Sequence, residues 1–530
     1  MNRRNAGWGW VFACLPAMMA CNAVLDIDQK KPGELPPTST TGSFELTASS
    51  SVRLVAGGQA ALEVTVQRRD GFGGPVTALV NGLPHGVRAE PLVLAASQTS
   101  GKVLFRASES AEFGRSSISI LGASQSLILD PISVELVVQG TPGSLDETFG
   151  DHGRVVLAPT GATELGVGAG GLRIAQDGSV LLCGRVRTAS SERSVLLARL
   201  TSEGELDETF GSEGWVFTNS QRSQSDECNS AILRPSGGVV FAGAASPNGS
   251  PGDLMAARFS STGHASGDFG KSGFITRAFG EKQSSACCVL GGDQDKIIAG
   301  GQVDGDALLI RFMKNGEIDA SFGSRSGSVI DGAGMRSLAQ QSTGHFVAAL
   351  DSDTFRVARF NPDGQLDESA NPQPVGVDVG GRGSSKAVIA LVRPDDEIVV
   401  VGTAQAETGF AELAVAFLTN TGQLDTSKLS EGWVTSHWGE GDVTVSGAVL
   451  QADGGLLVAG ETLSADGALL TLTRLEADGS LDTSFGTGGR RTFEMERSAH
   501  SIALDALGRV LVVGSAGATD SALVLYRLWP

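Results

Sequence analysis

From Leu172 to the C-terminus the apolar positions fall in short runs, each closed by a glycine or a small polar turn. "LRIAQDG" leads into "VLLCG" and then "SVLLARL"; the same order returns in "AVLQADGG", "LLVAG" and "LLTLTRL". Runs this short, rich in Val, Leu and Ile, predict β-strands rather than helices. The Asp-Gly pairs between them predict tight hairpins, because Gly accepts positive φ without a steric penalty. A fourth strand, as in "RVVLAP", "WVFTN" or "FITRA", follows an acidic phrase: "SLDETFG" from Ser144, "ELDETFG" from Glu205, "EIDASFG" from Glu317 and "SLDTSFG" from Ser480.

The phrase recurs at Leu145-Asp146, Leu206-Asp207, Ile318-Asp319, Leu366-Asp367, Leu424-Asp425 and Leu481-Asp482, with a degenerate copy in "GHASGDFG", Gly263 to Gly270. Seven copies about 50 to 60 residues apart, each with four short antiparallel strands, predict a seven-bladed β-propeller over residues 141–530. The tract opens on a phrase and fourth strand without a preceding triplet, and ends on a triplet, Ser501 to Leu528, without a fourth strand. Arg154 to Leu157 is therefore expected to complete the last blade beside "SALVLYRL", so that an N-terminal outer strand closes the ring and no sheet edge is left open. The phrase resembles the signature of the delta-60 repeat family of bacterial secreted proteins, "DG-x-L-D-x-x-F-G". Ala370 and Lys428 replace its Phe in two copies, which puts the regularity of those corners in doubt.

Residues 44–140 follow a different rhythm. "AALEVTVQ" places Leu62, Val64 and Val66 on one face, and "RSSISIL" and "ISVELVV" alternate likewise, which predicts a β-sandwich. "GGPVTALVNGLPHGVRAEP", Gly73 to Pro91, resembles bacterial immunoglobulin-like domains through Val76, Gly82, Leu83, Pro84, Gly86 and Val87. That resemblance implies a spacer or adhesion module. The whole chain is thus expected to be all-β: an immunoglobulin-like β-sandwich followed by the propeller.

Ahead of both lies "MNRRNAGWGWVFACLPAMMAC". Arg3 and Arg4 precede an apolar stretch too short for a bilayer span, as in a signal peptide over residues 1–21. Ala20 before Cys21 resembles the bacterial lipobox, with Met18 in place of the usual Leu; lipidation of Cys21 would anchor the chain to the outer membrane or cell surface. Residues 22–43, with "DIDQKKPGELPPTSTTGS", read as an extended tether. No later segment is long and apolar enough to span a bilayer as a helix.

Charge narrows the partners. Fifty-nine acidic against 40 basic residues leave a net charge of −19, which argues against nucleic acid as a partner. In an exported chain cysteines can bridge. Vicinal Cys287 and Cys288 are poorly placed to bridge each other, so the expected disulfide joins Cys228 to that pair, taken at Cys287, and the spacings match no zinc pattern.

Six third strands carry an Arg: Arg199, Arg258, Arg311, Arg359, Arg474 and Arg527. In regular copies the Asp follows eight residues later, giving Arg199 with Asp207, Arg311 with Asp319, Arg359 with Asp367 and Arg474 with Asp482; ring closure offers Asp146 to Arg527. The pairs are expected to fix the turn between third and fourth strands. Calcium binding by these Asp residues is the alternative, though no "D-x-D-x-D-G" loop supports it. Phe417 stands at the Arg position in one copy, so Asp425 must find other donors or leave that corner loose.

Catalytic chemistry is not nominated. "GVGAGG", Gly166 to Gly171, has the count of a dinucleotide motif but lies between strands. The six His are scattered, and no metal or cofactor is expected. The loops between second and third strands, and between consecutive blades, vary and share one face, the layout of a binding surface on a rigid frame. Trp438, His437, Arg222 and Asp226 are the candidate ligand-binding residues there. The expectation is a monomeric, non-catalytic envelope protein binding a glycan or a surface protein. A polysaccharide hydrolase or lyase of the propeller type, or a purely structural component, are the alternatives.

Overall fold

A computed structural model describes residues 42–124, 127–188, 192–220, 225–246, 252–323, 327–368, 375–379, 384–407, 409–438, 441–464, 467–493, 498–516 and 520–530. Residues 1–41, which hold the expected leader, Cys21 and nearly all of the expected tether, lie outside these residues, as does Arg222. The described chain is all-β; its single helical element is the 3-10 turn Asp293–Asp295. Among the described residues no helix is long and apolar enough to cross a membrane.

Two sheets make the first unit. One orders the strands Ser43–Ala48, Gln59–Arg69, Ser100–Ala107 and Val87–Ala89; the other runs Ser51–Val55, Ile132–Gln139, Gly114–Ser124, Val76–Asn81 and Leu92–Leu94. Alternation along Gln59–Arg69 sends Leu62, Val64 and Val66 into a core shared with Phe105, Ile118, Ile120 and Leu136 from both sheets. Burying one face of each sheet against the other is what the period-two pattern requires.

Beyond Gly140 the strands form five sheets of four and one of eight. The eight-stranded sheet is two four-stranded units joined where Gly170 pairs in parallel with Ser230. Every unit is an antiparallel meander of inner, two middle and outer strands, as in Ser284–Gly291, Ile297–Val303, Asp306–Phe312 and Ser328–Ile330. Arg154–Leu157 pairs antiparallel with Ala522–Leu528, Val155 opposite Leu525, so the chain's last unit is completed by a strand some 370 residues earlier. The inner strands Ala162–Ile174 and Ser498–Leu504 also touch, which brings the last unit against the first.

Trp529 joins the two parts. It is buried, its ring centroid lies 4.9 Å from that of Phe113, and a Cβ on Gly140 would lie 2.2 Å from its Cδ1. Only glycine lets the connecting chain pass the indole at that distance.

Candidate functional site

The repeated acidic phrase builds corners. Asp207 accepts from Arg199 Nε through Oδ2 at 2.7 Å, and through Oδ1 from the Thr209 amide and hydroxyl at 3.0 and 2.6 Å. Asp319 is held the same way by Arg311 Nε at 2.9 Å and Ser321, with Lys296 Nζ added at 2.8 Å. The Lys296 contact and the Ser321 hydroxyl hold the Asp319 carboxyl well below the usual carboxylate range, against the opposing effect of burial. Arg359 pairs with Asp367, Arg474 Nη1 with Asp482 at 2.9 Å, and Arg527 Nε with Asp146 at 2.7 Å. Asp146, Asp207, Asp319 and Asp482 thus divide their two oxygens between an ion pair and a local turn. The Phe of the phrase sits under the same guanidinium, 4.3 Å away for Arg311 and Phe322 and 4.5 Å for Arg527 and Phe149.

The phrase's Gly then latches its unit to the next. Gly150 donates to Glu203 O, Gly211 to Thr262 O, Gly270 to Asn315 O, Gly323 to Asp363 O and Gly486 to Pro142 O, all at 2.6 to 3.2 Å. The copies carrying Ala370 and Lys428 use other donors. Gln341 Nε2 reaches Asn420 O at 2.8 Å, and Arg393 Nη2 reaches Ala477 O at 2.6 Å. Both residues directly follow an inner strand, and both acceptors lie on the next unit's turn. Arg393 also stands 5.3 Å over the Phe417 ring, replacing the missing third-strand Arg, while Asp425 takes the Ser427 amide and hydroxyl at 2.9 and 2.6 Å.

The inner strands surround a cavity of about 710 Å³. Each is interrupted by a bulge at one register. The ladder skips Asn229 between Cys228 and Ser230, Cys287 between Ala286 and Cys288, and Arg336 between Met335 and Ser337. It likewise skips Val388, Ser446 and His500. In Ala162–Ile174 the break is wider, from Val167 to Leu172, and takes up most of "GVGAGG". A bulged residue leaves the ladder and its side chain is re-aimed. Here all six single-residue bulges, with Ala169 and Gly170 of the wide one, line the cavity. Burial lowers the His500 pKa to about 4, so the ring is neutral at pH 7. Among the described residues the one carboxylate in the lining is Asp351, held by Arg336 Nη2 at 2.8 Å. A hollow of about 810 Å³ also lies on the outer rim, walled largely by Leu157, Pro159, Trp215 and Phe217; it gathers no comparable polar set.

Four segments, residues 175–210, 295–322, 343–369 and 451–485, match DUF5122, a domain of unknown function described as a beta-propeller. The repeat tract is a β-propeller. No curated protein matches the chain. Among solved structures, domains 4–9 of the surface layer protein SbsC align at 11% identity over 85% of this chain and 82% of that one, with a TM-score of 0.16. Trypsin-activated alpha-2-macroglobulin from Escherichia coli aligns at 10% over 92% of this chain and 41% of that one, also with a TM-score of 0.16.

Within the propeller the residues expected to bind ligand separate. Trp438 is 7% exposed and packs with Phe417, Val443 and Leu456 between two blades, so it is core and not a stacking platform; burial of a large indole outweighs any gain from display. Asp226 is fully buried and accepts from the Ser220 amide through Oδ2, so it is not displayed at the surface. His437 stays at the surface, 3.4 Å from Glu412 Oε1. Arg222 is outside the described residues.

The disulfide also differs from expectation. Cys183 bridges Cys228, Cα to Cα 5.7 Å, while Cys287 and Cys288 are free. Cys183 and Cys228 share one apolar layer between adjacent blades, whereas Cys287 is turned into the cavity by its bulge. Among the described residues no group of three or more His, Cys, Asp or Glu side chains is placed to hold a metal ion.

Proposed function

We propose that the chain is an exported, lipid-anchored envelope protein in which an immunoglobulin-like sandwich carries a seven-bladed, delta-60-type propeller. The propeller binds a glycan or another surface protein without transforming it. The observation that carries this reading is the bulge register. The frame repeats, yet in six blades the bulged position facing the cavity carries a different side chain: Asn229, Cys287, Arg336, Val388, Ser446 and His500. Varied side chains on a rigid repeated frame suit recognition. The polysaccharide-hydrolase reading is less favoured, because glycoside hydrolysis ordinarily uses a carboxylate pair and the lining offers Asp351 alone, already bound to Arg336.

The test is capture of fractionated envelope polysaccharides and purified surface proteins by the full chain, against a double variant Arg336→Ser, His500→Ser. Saturable capture, weakened at least tenfold by the variant, supports the reading. Capture that ignores the variant removes the cavity from it, and no capture favours a purely structural role. Polysaccharide returned shortened would hand the lead to the hydrolase.

A further inference from the structure

One residue facing the cavity carries a charge that no carboxylate of the described protein answers. Arg173 lies near the end of the inner strand Ala162–Ile174, opposite Leu181. In the other blades the same register is held by Ile232, Leu290, Ala339, Leu391, Val449 and Ala503. Of these Leu290, Leu391 and Val449 line the cavity with Arg173, which is half-buried, and desolvation pulls its pKa down to about 10. It remains a cation at neutral pH.

Among the described residues its one hydrogen bond is from Nη1 to Leu172 O, at 2.8 Å. The guanidinium has five N–H donors in a fixed fork, so most are left for the cavity. Asp351, the one carboxylate the described residues bring to the lining, is occupied by Arg336. Beside Arg173 the backbone is pared to glycine: a Cβ on Gly170 would lie 2.5 Å from Ser230 Oγ and 3.3 Å from Arg173 Nη2. The hydroxyl and the fork flank the same open stretch of backbone. A half-buried cation beside aliphatic side chains, with no carboxylate of the described residues paired to it, is a ready partner for an anion entering the cavity.

We propose that the propeller cavity is a carboxylate-binding site, in which Arg173 pairs with the carboxylate of a small ligand and the aliphatic lining, Leu290, Leu391 and Val449, holds its apolar body. The Ser230 hydroxyl, beside the fork, supplies a further donor. A carboxylate matches the planar fork bidentately and carries one charge. Phosphate would bring a second charge into the cavity, where the other guanidinium, Arg336, is already paired with Asp351. The proposal deepens the binding reading above by giving its ligand, or the ligand's end group, a carboxylate.

The experiment titrates the full chain with hexanoate, hexanamide and inorganic phosphate by calorimetry, using the native protein and the variants Arg173→Gln and Arg173→Met. Hexanoate should bind the native protein saturably, with hexanamide and phosphate each at least tenfold weaker. Both variants should lose at least tenfold in hexanoate affinity while their unliganded Tm stays level or rises, since an unanswered charge has been removed. Absence of hexanoate binding overturns the proposal, as does undiminished binding in either folded variant. Phosphate binding more tightly than hexanoate overturns the choice of carboxylate, and a large fall in Tm for both variants makes Arg173 structural. Capture of an envelope component without hexanoate binding sinks this site and leaves the binding reading; hexanoate binding without any such capture does the reverse.

Discussion

The propeller is closed by a strand from the far end of the repeat tract, and Asp146 is the residue to perturb. It is fully buried; its Oδ2 accepts from Arg527 Nε at 2.7 Å and from Arg509 Nη1 at 2.8 Å, and its Oδ1 serves Thr148. Asp146→Asn keeps the size and an acceptor for Thr148 but deprives two guanidiniums of their anion. Removing one partner of a buried pair costs about 3–5 kcal/mol. Arg509 keeps Asp505 at 2.6 Å, so the low end, about 3 kcal/mol, applies. Asp207 is the control: it occupies the same corner in another blade, but its side chain is 21% exposed and has one Arg, so Asp207→Asn should cost about 1 kcal/mol.

Two assays separate the cases. Urea unfolding followed by circular dichroism should order the variants native, Asp207→Asn, Asp146→Asn. Hydrogen exchange should quicken up to about 100-fold in Arg154–Leu157 for Asp146→Asn, because 1.4 kcal/mol is a factor of ten in local opening, and stay level there for Asp207→Asn. Equal destabilisation by the two substitutions, or unchanged exchange in that strand, would refute the claim that this buried ion pair secures the closure.

Two further outcomes follow from burial. Trp438→Ala should cost about 3–5 kcal/mol in urea unfolding, as deletion of a packed indole between two blades does; a cost under about 1 kcal/mol would return Trp438 to the surface. His500 has a folded pKa of about 4, below its ordinary 6.5, so the unfolded chain binds the extra proton. Its contribution is complete above pH 6.5 and is lost as pH falls toward 4, up to about 3 kcal/mol, less what the open cavity screens. His500→Asn should therefore be less sensitive than the native protein to acid between those limits in stability curves taken across that range, and parallel curves would contradict the burial.

Much of the molecule could be read before any coordinates. Strand-sized apolar runs closed by Asp-Gly turns are local signals, and they repeat often enough to reinforce one another. The Arg and Asp eight residues apart across a hairpin were legible for the same reason. The latch that crosses blades was not, since Gly486 and Pro142, or Arg393 and Ala477, are neighbours only in the folded ring. Nor was Trp438: a tryptophan after a short strand in a variable loop looks displayed until the blade that covers it is in place.

The amino-acid order by itself determined the all-β character, the repeat and its period, the strand that completes the last unit and the acidic corners, because each depends on residues close in sequence or on a recurring pattern. Only the tertiary structure decided which side chains face the cavity. A bulge exists only relative to its partner strand, so the register skips at Asn229, Arg336 and His500 have no signature in one strand alone. It decided equally that Cys183 meets Cys228, and that Arg173 faces the cavity at a register held by aliphatic residues in the other blades. A charge lacks a partner only in relation to everything folded around it.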